Sequence, residues 1–256
     1  MKTRSLARLG LFALVVALGL GFAPQTPPRP AAAPPDAVFD NCTSVFVGRL
    51  ATADGSTMTS HSCDSGTDRT WITIVPRASH GAGAMEKVYF EPKRSKGPDD
   101  ADRIEAGTVP YPAETYAFMN AAYPIMNEYQ LAIGETTIGG RSELKSDVGI
   151  IDAPELYRLI LERAKTSREA IRIADALTKA YGYNDWGESF TFADPKEVWL
   201  FEIYGPGKGR KGAVWAAQRV PDDEASVSAN ASRLRQLDLK DKEFVLASDN
   251  VLALAA

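Results

Sequence analysis

Asn41-Cys-Thr-Ser-Val-Phe-Val-Gly-Arg-Leu-Ala-Thr-Ala-Asp-Gly-Ser-Thr-Met-Thr-Ser-His-Ser-Cys-Asp64 is the stretch on which the reading of this chain turns. Cys42 to Val47 is apolar and β-branched, a composition that suits a half-buried pleated surface and predicts a strand. Asp54-Gly55 supplies the backbone freedom of a tight turn, and Ser56 to Ser60 is the expected return strand of a hairpin. The stretch also carries both cysteines of the chain, Cys42 and Cys63, and one of its two histidines, His61.

What precedes it is of a different kind. Lys2, Arg4 and Arg8 form a positive cluster ahead of the apolar run Leu11 to Ala23. That order reads as a secretory signal peptide over residues 1–23. The run falls short of the roughly 20 residues that a spanning helix needs, so no stable membrane span is expected after processing. Residues 24–41 are rich in proline, which fixes φ and removes backbone donors; they are expected to be an extended linker or propeptide. The remaining domain, 42–256, is expected in a periplasmic or extracellular setting.

Outward in the other direction, Trp71 to Val75, Lys87 to Phe90 and Tyr129 to Ile133 read as strands. Residues 92–112 are charged and rich in Pro and Gly, and are expected to be a surface excursion. Asp152 with Glu155, and Thr166 with Glu169, have the spacing of helix capping boxes. Behind each runs an apolar stripe, Leu156, Leu159, Ile160 and Ala164, then Ala170, Ile171, Ala174, Leu177 and Tyr181, up to Gly182. One bent helix or two consecutive ones fit equally. Strands resume at 188–192, 197–203 and 213–218. The glycines at 205, 207, 209 and 212 precede a strand and not a helix, which favours a hairpin over a phosphate loop. Strands, helices, then strands again predict an α+β layered domain.

The composition excludes some functions. With 29 Lys plus Arg against 33 Asp plus Glu, the net charge of −4 offers no basic face for nucleic acid. His61, Cys63, Asp64 and His80 are close in sequence, but no pair has zinc-type ligand spacing, and neither metal nor cofactor is expected. A Cys42–Cys63 disulfide is a natural reading for an exported chain. The alternative makes Cys42 a nucleophile. A thiol of ordinary pKa, about 8.5, needs a base near neutral pH. If cleavage at Asn41-Cys42 made Cys42 the first residue, its own α-amine, with a pKa of about 7.7 to 8.0, could be that base.

The residues 41 to 48 and 51 to 57 resemble the mature start of the dipeptidase A and secernin-like family of cysteine N-terminal-nucleophile (Ntn) hydrolases. Ser60-His-Ser-Cys-Asp64 resembles the next block in one branch, with His61 where many members have Arg. The resemblance continues through Met126 to Thr137, Gly149 to Asp152, Leu161 to Ile171, Asp194 to Trp199, Trp215 to Asp222 and Ser228 to Arg233. It covers roughly the N-terminal half of a family member.

The resemblance implies a four-layer αββα Ntn-hydrolase sandwich, incomplete in this chain and completed by a homo-oligomer or a missing C-terminal half. It implies a cysteine dipeptidase acting on small peptides, with Cys42 as nucleophile and amine base. Asp64 would hold the amine. Asn127 would donate its amide N–H to the oxyanion, as in the wider group with penicillin V acylases and bile-salt hydrolases, an interaction worth about 2.7 to 4 kcal/mol. Asn230 matches a second Asn position. His61, Arg219 and Arg233 are candidate substrate contacts, the arginines through bidentate pairing with a carboxylate. An N-acyl amide hydrolase and a non-catalytic binding protein stapled by Cys42–Cys63 are the alternatives.

Overall fold

A computed structural model describes residues 41–64, 71–90 and 103–254. The expected signal peptide, and all of the expected linker except Asn41, lie outside the described residues. In chain order the strands are β1 (Asn41–Val47), β2 (Met58–Thr59), β3 (Ser62–Asp64), β4 (Thr73–Val75), β5 (Ala78–Ser79) and β6 (Met85–Phe90). They continue as β7 (Ile104–Pro110), β8 (Glu114–Thr115), β9 (Phe118–Asn120), β10 (Met126–Asn127) and β11 (Ala132–Gly139). Helices α1 (Ala153–Leu161) and α2 (Ser167–Tyr181) come next. The chain then runs through β12 (Gly187–Ala193), β13 (Val198–Tyr204), β14 (Val214–Val220), β15 (Ala225–Ser228), β16 (Val245–Ala247) and α3 (Val251–Leu254).

Eight strands make one antiparallel sheet in the order β16-β14-β13-β12-β11-β10-β9-β4. A smaller sheet places β1 between β15 and β2, with β3 also paired to β1. Helices α1 and α2 bury Leu156, Leu159, Ile160, Ile171 and Ala174 in one core with Phe190, Phe192 and Phe201 of the large sheet. Its opposite side meets the small sheet, where Phe46 packs with Ala193, Val198, Leu200 and Val220. Burying a side chain of that size contributes about 1.5–3 kcal/mol, enough to pin β1 and with it the residues at its start. The described layers are therefore helices, large sheet, small sheet. Beyond the small sheet, Val45 and its cross-strand partner Val227 are exposed, as is Met58.

Local chemistry explains the helices. Asp152 accepts from the Glu155 N–H at 3.1 Å and Thr166 from the Glu169 N–H at 3.2 Å, each capping orphan donors of a first turn. The caps sit on two separate helices, which resolves the open choice between one and two. Gly182 ends α2 at φ 77°, and a Cβ there would meet Gly149 Cα at 2.7 Å, so only glycine fits. The glycine-rich segment 205–212 joins β13 to β14 in an antiparallel pair, as a hairpin should.

Two expectations need correction. Residues 104–110, assigned to a surface excursion, form β7 and pair along β6. Their apolar alternation is weak, and pairing with β6 overrides it. The strand expected at 129–133 starts later, at Ala132, because Gln130 turns the chain at φ 64°.

Candidate active site

β1 buries alternate residues, Cys42, Ser44 and Phe46, as a strand with one covered face must. The Ser44 hydroxyl donates to the Glu135 carbonyl at 2.9 Å and locks β1 onto β11. Cys42 thereby sits 8% exposed at the start of the strand. Its backbone N–H donates to Asn230 Oδ1 at 2.7 Å, across 188 residues of sequence. Asn230 is itself fixed, its Nδ2 donating to the Thr137 carbonyl at 2.7 Å. Its backbone adopts φ 49°, a left-handed conformation that Asn tolerates better than most residues and that here aims the amide at Cys42. Asn230, which the sequence placed only loosely, is the partner of the Cys42 nitrogen.

The thiol has other neighbours. Cys42 and Cys63 are direct cross-strand partners between β1 and β3, and neither is in a disulfide. The Cys42 sulfur, a His61 ring nitrogen and a Glu135 carboxylate oxygen all lie within 4.8 Å of one another. His61 Nε2 stands 3.0 Å from Glu135 Oε2. The His61 ring also meets Tyr123 edge-on, with centroids 5.1 Å apart. Thr137 Oγ1 donates to Glu135 Oε1 at 3.2 Å. The three donors are of types that a borderline-soft cation accepts, but two of them are already turned on each other as an ion pair.

Charge explains what these groups hold. The side-chain hydrogen bond with Cys63, and then burial, push the Cys42 thiol up, with His61 opposing. Burial pulls His61 down, but Cys42 and Glu135 outweigh it and raise the imidazole to about 9. Burial works against the Glu135 charge too, and the His61 contact holds that carboxyl below its ordinary value. Glu188, buried beside Glu135, is pushed well up by burial and then by the neighbouring charge. The arrangement is a neutral thiol, an imidazolium and a carboxylate in sequence, with a second carboxyl of raised pKa behind them.

Other expected site residues are placed differently. Asp64 is exposed and registers opposite Asn41, beside the Asn41–Cys42 bond, while the Cys42 nitrogen goes to Asn230. Asn127 corrects the expectation of an oxyanion donor. Its two amide hydrogens go to the Leu161 and Ala164 carbonyls at 2.8 and 2.7 Å, and its Oδ1 accepts from the Tyr129 and Leu131 N–H groups. It closes the turn before β11 and caps the end of α1, with no N–H left to give. Arg219 is held by Asp222 at 3.0 Å and Glu243 at 2.8 Å, so its guanidinium is engaged in ion pairs rather than offered to a substrate. Arg233 is exposed on a segment anchored through its backbone N–H to Glu202 at 2.5 Å.

Glu135 and Glu188 were missed by sequence reasoning. The available signal was period two: Glu135 shares a strand face with Ile133, and Glu188 with Phe190 and Phe192, so each is a carboxyl on a core face. A cleft of about 740 Å³ lies nearby, but it is lined by Val45, Val47 and Met58, on the side of β1 facing away from Cys42.

Residues 41–256 match the model for peptidase family C69. A probable dipeptidase from Salmonella dublin is 27% identical over 219 residues, covering 84% of this chain and 48% of the relative. A probable dipeptidase B from Lactococcus lactis subsp. lactis (strain IL1403) is 28% identical, over 82% of this chain and 43% of the relative. Dipeptidase A from Lactobacillus helveticus is 26% identical, over 81% and 44%. The chain spans less than half the length of these relatives.

Proposed function

The chain belongs to peptidase family C69, and from that premise we propose that it hydrolyses small peptides, dipeptides in particular, with Cys42 as nucleophile. The relatives named as dipeptidases support the substrate class. The observation that carries the mechanism is that one residue has two separately served groups. The Cys42 nitrogen rests on Asn230 Oδ1 at 2.7 Å, and its sulfur lies within 4.8 Å of His61 and Glu135.

While Cys42 is amide-linked to Asn41, its nitrogen has no basic lone pair and its thiol keeps its proton. Cleavage of that bond converts the nitrogen into an amine of ordinary pKa about 7.7 to 8.0. Asn230 Oδ1 accepts one of its hydrogens and orients the lone pair. The amine takes the thiol proton, and the imidazolium of His61 stabilises the thiolate beside it. Glu135 keeps that imidazole charged. The thiolate attacks the scissile carbonyl, the ammonium returns its proton to the leaving amine, and water hydrolyses the thioester. The composition of residues 1–23 supports export through a secretory leader, with residues 24–41 removed in maturation. An αββα Ntn arrangement, with helices over the exposed Val45 and Val227 face, is the fold that this chemistry suggests.

The test compares dipeptides with N-acyl amino acids on wild-type protein and Cys42→Ala. Dipeptide hydrolysis that vanishes in Cys42→Ala is expected. Hydrolysis confined to N-acyl amino acids, or retained in Cys42→Ala, would overturn the reading.

A further inference from the structure

Cys63 is used by no step above, yet it stands directly across from the nucleophile. Directly opposed residues in an antiparallel pair have Cα atoms about 5.5 or 4.5 Å apart, and both values fall in the disulfide range of roughly 4.4–6.8 Å. Cys42 and Cys63 are such a pair, and their side chains already share a hydrogen bond. They differ in access: Cys63 is exposed, whereas Cys42 is buried. An oxidant arriving from solvent therefore meets Cys63 first, and the sulfur nearest to any adduct there is that of the nucleophile.

We propose that Cys63 is a modification site for small-molecule disulfides, through which Cys42 is reversibly locked in an intramolecular disulfide. The consequence for activity rests on Cys42 being the nucleophile. In the first step the Cys63 thiolate attacks one sulfur of a small disulfide such as oxidised glutathione. The glutathione S–S bond breaks, a mixed disulfide forms on Cys63, and one glutathione thiolate leaves. In the second step Cys42, deprotonated, attacks the Cys63 sulfur and displaces the second glutathione thiolate. The two cysteine thiols are oxidised, the small disulfide is reduced to two thiols, and those thiols take up the two cysteine protons. The locked form has no thiolate to offer a substrate. A small thiol reverses both steps, attacking first at the exposed Cys63 sulfur.

The experiment treats the full chain with oxidised glutathione, then with dithiothreitol, reading activity and peptide mass at each stage. The expected result is a peptide pair linked through Cys42 and Cys63, lighter by two hydrogens than the reduced pair, with activity lost in step and restored by the thiol. Cys63→Ser should form no linked pair and should keep under oxidant the activity that it has under reductant. Absence of the linked pair in oxidised wild-type protein would overturn the proposal, as would equal inactivation of Cys63→Ser. A linked pair that forms while dipeptide hydrolysis is absent in every redox state would uphold the disulfide and overturn the nucleophile assignment instead.

Discussion

Two groups of buried charge lie in this fold, and they are built on opposite principles. Around α1, Arg158 pairs with Glu86, with Glu155 at 2.5 Å and with Glu162 at 2.9 Å. Arg163 reaches Glu86 at 2.6 Å and Glu162 at 2.8 Å, and Arg103 reaches Glu155 at 3.1 Å. Three guanidinium groups face three acidic side chains, and their forked donors fill most of the acceptor sites. Around Cys42 the acids outnumber the cations. Among the described residues, Glu135, Glu188 and Asp185 have His61 beside Glu135 and Lys145 acting on Asp185, and burial drives both Glu188 and Asp185 up. A balanced group holds elements together. An unbalanced one holds protons at particular atoms, which is what acid–base chemistry requires.

If the contrast is sound, variants should divide by what they damage. Cys42→Ala removes the reacting atom and should reduce dipeptide hydrolysis to background, while thermal unfolding shows a protein of near wild-type stability. Arg158→Met should do the reverse. It leaves buried carboxylates unpaired and should destabilise the fold by about 3–5 kcal/mol in denaturant titration. The folded fraction should keep the wild-type pH profile of activity.

Glu135→Gln keeps shape but removes the charge that supports His61. A loss of about 10²-fold in kcat is expected, within the usual range for an acid–base partner. The pH profile supplies the sharper reading. His61 is raised from 6.5 to about 9, so its charge, and the stability that the charge contributes, are fully present below 6.5 and lost as pH rises through about 9. Activity should fall across that upper range, and in Glu135→Gln the fall should move down toward 6.5. Cys42 and Tyr123 also face the ring, so Tyr123→Phe is the control that should leave this limb in place.

The smallest effect lies in the balanced group. Burial, only partly offset by Arg158, raises Glu162 from 4.5 to about 7. A carboxyl raised in the folded state favours folding below 4.5, and that contribution is lost as pH rises through about 7. The melting temperature should decline modestly over this interval, and Glu162→Gln should flatten the decline.

What was legible in the sequence was mostly local. The caps Asp152 and Thr166, the stop at Gly182 and the strand beginning at Asn41 follow from residues a few positions apart. Cys42 stood out because a thiol lay at the junction between a stretch read as a leader and linker and the domain expected after it. Its partners did not stand out. Asn230 is 188 residues away, and Glu135 lay beyond the strand expected at 129–133, with no visible partner until β1 was laid against β11. Asn127 misled because a turn-closing amide and an oxyanion donor have the same side chain, and only the acceptors of its hydrogens tell them apart. The weakly patterned strand β7 was hidden because its partner, not its own residues, defines it.

The central claim concerns the nitrogen of one residue, and the most direct measurement is the N-terminal sequence and intact mass of active protein whose reactive thiol has been alkylated in proportion to lost activity. The account predicts that the inactivated molecules begin at Cys42 and carry the label on that residue. Fully active molecules in which Cys42 is still bonded to Asn41 would contradict it.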